Sequence, residues 1–197
     1  MVNSFPHISI IAGPNGAGKS TCGPAVLKEH FHISEFVNAD MIATGLSAFK
    51  PESVAIEASR IMLKRLKRLA EKRVCFAFET TLASRTFAPW ISEIKKLGYQ
   101  FTLVYFWLHT DELAVERVAE RVRLGGHSVP EETIRRRYTN SVRNFFSLYQ
   151  PLADNWFIID NSDKESPVLV AEGKQLYDST IHQQSQWGTI KSICNGK

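Results

Sequence analysis

With 197 residues the chain is long enough for a full core and too short for two large domains, so one domain over residues 1–197 is expected. Its 44% hydrophobic and 22% charged residues are ordinary for a soluble globular protein, and a net charge of +4 suits polyanionic ligands without arguing nucleic acid on its own. Cys22, Cys75 and Cys194 form no C-x-x-C pair and support neither a disulfide framework nor zinc. The N-terminal residues show no signal-peptide core, and no apolar run approaches the roughly 20 residues of a membrane span, which predicts a cytoplasmic protein.

The first predicted strand is 7–12, followed at once by Gly13-Pro14-Asn15-Gly16-Ala17-Gly18-Lys19-Ser20-Thr21. This matches G-x-x-x-x-G-K-[ST], the P-loop pattern. Its glycines let successive backbone N–H groups converge on a phosphate. Lys19 supplies a point charge for the β- and γ-oxygens, and the Ser20 hydroxyl can ligate Mg²⁺. A helix predicted from Cys22 to His30 would place ATP phosphates at its N-terminus, where the macrodipole favours anions.

A second strand over 35–38 leads into Asn38-Ala39-Asp40. An acid at the C-terminal edge of a parallel strand faces the crevice where such sheets bind ligands, so Asp40 is a candidate base for an acceptor hydroxyl; capping a helix from Met41 is its structural alternative. Pro51 to Arg73 has helical apolar spacing at Ala55, Ile56, Ser59, Met62, Leu63, Leu66 and Leu69, and its charges Lys64, Arg65, Lys67 and Arg68 read as a solvated face. A third strand over 74–78 ends at Glu79-Thr80-Thr81, where Glu79 and Thr81 could bind a polyhydroxylated acceptor or Glu79 could reach Mg²⁺ through water.

After a fourth strand over 101–108, Thr110 can cap a helix carrying Arg117 and Arg121, ended by Gly125-Gly126. Ser128 and Glu131 have capping-box spacing around Pro130, ahead of a helix with Arg135, Arg136 and Arg137. Two basic helices joined by a Gly–Pro turn predict a lid over about 117–140. Arg121 and one of Arg135 and Arg136 are the candidates to stabilise a transferring phosphoryl group, with Arg136 taken for the catalytic set. The fifth strand, 156–160, enters Asn161-Ser162, where Asn161 could hydrogen-bond adenine or serve a turn. Residues 183–197 are either a loose tail or a late helix packed on the sheet.

Alternating strands and helices predict an α/β P-loop NTPase of nucleotide-kinase type, a five-stranded parallel sheet with helices on both faces and a helical lid. The P-loop, Asn38-Ala39-Asp40, Glu79-Thr80-Thr81, Arg121 with Gly125 to Pro130, the basic run Ile134 to Tyr138 and Asp160-Asn161-Ser162 together resemble the zeta-toxin family of kinases, in its branch labelled predicted ABC-type ATPases. The resemblance covers about residues 5–165. It implies transfer of phosphate from Mg²⁺·ATP to a sugar hydroxyl of UDP-N-acetylglucosamine, and a role as the toxin of a toxin–antitoxin pair, with a small helical antitoxin as partner. It implies Asp40 as base, Lys19 as phosphate clamp, Glu79, Thr81 and His127 at the acceptor, and Arg121 in the lid. Two positions depart from the family pattern: His127 and Ala83 stand where arginines are frequent. The alternatives are a kinase of nucleosides or nucleic-acid ends, and a regulatory ATPase without a small acceptor. No LSGGQ-like segment supports a transporter ATPase.

Overall fold

A computed structural model describes residues 5–30, 33–174 and 178–194. The chain runs β1 (His7–Ala12), α1 (Lys19–His30), β2 (Phe36–Val37), α2 (Ala39–Leu46), a 3₁₀ turn (Pro51–Val54), α3 (Ala55–Glu71) and β3 (Phe76–Thr80). It continues with α4 (Phe87–Lys96), β4 (Gln100–Trp107), α5 (Asp111–Arg123), α6 (Glu131–Asn144), β5 (Asn155–Asp160), β6 (Val168–Lys174), β7 (Asp178–Ile181) and α7 (Gln184–Cys194). One sheet has the order β2-β3-β1-β4-β5-β6-β7.

The five predicted strands form its parallel part. Their side chains alternate between two cores. Ile8, Ile10, Phe76, Phe78, Leu103 and Tyr105 face one side with Met62 and Leu66 of α3 and Ile91 of α4. Ile11, Ala77, Val104 and Phe106 face the other with Leu27 of α1, Val118 of α5 and Ile134 and Tyr138 of α6. Both faces of the central strands are therefore dry, which is why β1 and β4 read as nearly continuous apolar runs. Each fully buried Ile or Phe contributes on the order of 1.5–3 kcal/mol.

Two differences from the sequence reading have local causes. The third strand begins at Phe76 rather than 74, because Arg73 takes φ 53° and the Val74 N–H bonds Leu69 O, closing the end of α3. The shift brings Glu79 and Thr80 into the strand, opposite Ile11 and Ala12. The sheet also exceeds five strands: β6 pairs antiparallel with β5, and β7 with β6. Gly173 makes this possible, since a Cβ there would meet the Trp156 ring at 2.6 Å. Of the two alternatives for the end of the chain, the late helix packed on the sheet is the one observed: α7 runs Gln184–Cys194, Ile190 is buried and Trp187 stacks on Trp156 at 6.2 Å. Residues 195–197 lie outside the described residues.

Candidate active site

The loop after β1 returns tightly against the sheet. Gly13 has φ 138° and sits so close to Phe106 O that no Cβ fits, and Gly18 has φ 79° with its α-carbon against the Asn161 amide. Only glycine meets both demands without strain. Helix α1 begins at Lys19 rather than Cys22, so Lys19, Ser20 and Thr21 form its first turn. Lys19 is 7% exposed; its ammonium donates to Pro14 O at 2.8 Å and lies 3.9 Å from Glu79. Burial lowers its pKa, opposed by the charges of Glu79 and Asp40.

Glu79 is the hub of the site. It accepts from the Ser20 hydroxyl at 2.9 Å and 3.0 Å and from the Asn38 amide at 2.7 Å. Asn38 in turn caps α2, its Oδ1 accepting from the N–H groups of Asp40 (2.7 Å) and Met41 (3.2 Å). The cap is therefore Asn38, and Asp40 is released from that role. Its carboxylate is 58% exposed, with His127 Nε2 at 3.8 Å. The Thr81 hydroxyl accepts weakly from Ala83 N–H at 3.4 Å and lines the cleft.

The lid closes the cleft from the other side. Thr110 caps α5 by accepting from Leu113 N–H at 3.1 Å, and Gly125 turns the chain at φ 87°. The Ser128–Glu131 capping box does not form: Pro130 precedes α6 and no side chain caps it. Arg121 Nη2 donates to His127 O at 3.1 Å and lies 3.4 Å from His127 Nε2, while the Arg121 Nε is buried without a hydrogen-bond partner among the described residues. Arg135 is held by Asp111, Glu112 and Glu131 at 2.8–2.9 Å, which raises its pKa and takes it away from the cleft. Arg136 lines the cleft. Arg137, absent from the predicted set, lies there too and reaches Asn15 Oδ1 at 3.5 Å; burial lowers its pKa, with Asp40 opposing. Its helical phase was the available signal, since it stands three residues from buried Ile134 and beside buried Tyr138.

Asn161 lines the cleft with its Nδ2 already committed to the P-loop. The residue is 2% exposed, its Nδ2 donates to Ala17 O at 2.9 Å, and its Oδ1 is buried without a partner among the described residues. Arg117, also unassigned from sequence, fixes this turn by donating to Asn161 O and Ser162 O at 2.7 Å each. The loop after β5 thus braces the P-loop from below.

These parts surround one cavity of about 1280 Å³, bounded by the P-loop, α2, the start of α3, the 79–87 segment and the lid. That exceeds the roughly 300–1,000 Å³ of a single small-ligand site and leaves room for two ligands side by side. No helix among the described residues is long and apolar enough to cross a membrane.

Comparison with known proteins agrees with this arrangement. A Haemophilus influenzae protein described only as uncharacterized is 25% identical over 126 residues, covering 64% of this chain and 88% of its own. The crystal structure of AvrRxo1-ORF1 with AvrRxo1-ORF2 and sulphate ions superposes with a TM-score of 0.77 at 15% identity, over 97% of this chain and 65% of that one. The chain thus spans slightly less than two thirds of that protein. The PezAT chromosomal toxin–antitoxin system of Streptococcus pneumoniae superposes at TM-score 0.62 and 13% identity, over 98% of this chain and 87% of that one. At such identities the likeness is one of fold. The zeta-toxin profile, by contrast, matches residues 3–167, most of the sequence. The chain belongs to the zeta-toxin family.

Proposed function

We propose that this protein transfers the γ-phosphoryl group of ATP to a hydroxyl of a small molecule, with Asp40 as the base. The observation that carries the reading is the division of labour along one strip: Asn38 takes the helix cap, leaving the Asp40 carboxylate free at the cleft beside the P-loop. The acceptor oxygen would lose its proton to Asp40 as it bonds the γ-phosphorus, and the bond from that phosphorus to the β-bridging oxygen would break to release ADP. Lys19, drawn from Pro14 O, would hold the β- and γ-oxygens. Arg121, Arg136 and Arg137 would neutralise charge spreading over the equatorial oxygens. Mg²⁺ fits the hard oxygen donors present: Ser20 Oγ would ligate it and Glu79 would hold its water shell, where the ion would screen the phosphates.

UDP-N-acetylglucosamine is the acceptor implied by the family, and the reference compound for assay. The same membership supports a cytoplasmic toxin restrained by an antitoxin protein. A nucleic-acid acceptor is less well supported, since Lys64, Arg65, Lys67 and Arg68 lie outside the cavity lining and Arg65 pairs with Glu35 at 2.7 Å. ADP release should be measured against nucleotide sugars, nucleosides and oligonucleotide ends. Asp40→Asn should lower transfer by roughly 10²–10⁴-fold with nucleotide affinity little changed, and should render an induced, growth-arresting wild type harmless. Unchanged turnover in that variant would remove Asp40 from the chemistry. Growth arrest by a variant shown to be catalytically dead would remove the toxin role instead.

A further inference from the structure

The lid meets Asp40 through one imidazole ring. His127 Nε2 lies 3.8 Å from Asp40 Oδ2 and 3.4 Å from Arg121 Nη2, and the side chain is 23% exposed. The turn is built to put it there. Gly126 N–H donates to Arg121 O at 2.9 Å, and a Cβ on Gly126 would strike Arg121 Cγ at 2.6 Å. The glycine thus lets the Arg121 side chain pass beneath the turn and donate to His127 O at 3.1 Å. One ring nitrogen then faces two partners with opposite demands. With a lone pair on Nε2 the ring accepts from Arg121; with a proton there it donates to Asp40 and repels Arg121.

The charged groups on this side of the cleft are Asp40 from α2, Arg121 from α5, Arg136 and Arg137 from α6, and Lys19 from the start of α1. Lys19 and Arg137 both interact with the Asp40 charge, and Lys19 also with Arg121. Of the other acids lining the cleft, Glu79 is taken up by Ser20 and Asn38 and Glu120 by Lys164, while Glu52 stands on the turn before α3. Asp40 therefore favours a proton on His127 and the four cations oppose one. Mg²⁺·ATP, which stays net negative, would enter among those same cations and offset their field, leaving Asp40 as the charge that decides the state of the ring.

Resting on the kinase reading above, we infer that His127 is a positioning residue that takes up a proton when Mg²⁺·ATP binds and then holds the edge of the lid to Asp40. The proton comes from solvent and sits on Nε2. Asp40 stays ionised, one oxygen turned to the imidazolium and the other left for the acceptor hydroxyl. A lysine or arginine here would be a permanent cation; histidine makes the link conditional, so the base is oriented only once the phosphates are in place.

Titration calorimetry of Mg²⁺·AMP-PNP, repeated in buffers of different ionisation enthalpy, counts the protons bound and needs no acceptor. Between pH 6 and 8 wild type should take up about 0.3–1 proton per site more than His127→Gln. By linkage its affinity should then fall about two- to tenfold more per unit rise in pH than that of the variant. His127→Arg, cationic throughout, should show the low proton count of His127→Gln but keep at pH 8 the affinity wild type has at pH 6. Asp40→Asn should bind nucleotide without the extra proton. Equal uptake by wild type and both His127 variants, or uptake that persists in Asp40→Asn, would overturn the inference and leave the kinase reading standing. Failure of wild type to bind Mg²⁺·AMP-PNP would overturn the kinase reading, and this inference with it.

Discussion

Glu79→Gln separates the metal from the acceptor. The substitution keeps the shape of a side chain that is 9% exposed and accepts three contacts, two from Ser20 and one from Asn38. Glutamine can still accept from Asn38 through its carbonyl, and its NH₂ can donate to Ser20, whose hydroxyl rotates to suit. Charge-assisted bonds then become neutral ones, a loss of about 1 kcal/mol for each partner, partly offset because a carboxylate is no longer buried. The melting temperature should therefore move by only a few degrees, corresponding to about 1–2 kcal/mol. Glu79→Ala is the poorer probe, because it strands the buried Asn38 amide and adds roughly 1–3 kcal/mol of unrelated loss. The functional effect of glutamine should be larger. Its NH₂ occupies the Ser20 lone pair that Mg²⁺ needs, and the negative charge facing the ion's waters is gone, so Mg²⁺ affinity should fall roughly 10–100-fold. Titrating Mg²⁺ against both the ATP-dependent melting shift and the initial rate reads this directly. An unchanged Mg²⁺ requirement with a raised acceptor KM would refute the metal-side assignment and place Glu79 on the acceptor.

Saturating Mg²⁺·ATP should raise the melting temperature of wild type by mass action, and Lys19→Ala should lose most of that shift; no shift in wild type with millimolar ATP or GTP would make the P-loop vestigial. Arg137→Ala should lower kcat about 10²-fold with a small change in ATP affinity, whereas Arg135→Ala should act on melting temperature rather than turnover, because Arg135 is committed to Asp111, Glu112 and Glu131. Comparable losses of kcat in both would contradict the division drawn between them. Neutralising Lys64, Arg65, Lys67 and Arg68 together should leave turnover nearly unchanged, while weaker binding with a shallower salt dependence would favour a nucleic-acid acceptor.

The parallel half of the fold was legible because its physics is local. Strands covered on both faces must be apolar throughout, and a loop with glycines at fixed offsets has few other uses. The antiparallel extension was not, because β7 is polar at three of its four positions and β6, an apolar run from Val168 to Ala171 that ends in Glu172-Gly173-Lys174, acquires its register only by pairing with β5. Partner choice of this kind is a tertiary fact with no periodic trace in the chain. The Ser128–Glu131 pair shows the converse failure. Its spacing was right, yet Pro130 already sets the backbone entry to α6, so the box does not form.

The candidate site divides along the same line. Residues that contribute backbone or sit at strand ends could be read from position alone, as with Gly13 to Thr21, Asp40 and Glu79. Residues whose use depends on which neighbour reaches them first could not. Arg135, Arg136 and Arg137 are chemically identical and consecutive, and a helix turns them about 100° apart. Three carboxylates sit within reach of the first, while the third stands above the P-loop and contacts Asn15. Asn161 follows the same logic: a polar residue at a sheet's ligand edge invites a ligand role, but the Ala17 carbonyl needs a donor and the Gly18 α-carbon leaves room for that amide. What a polar side chain at this edge can offer a ligand is set by what the protein has already asked of it.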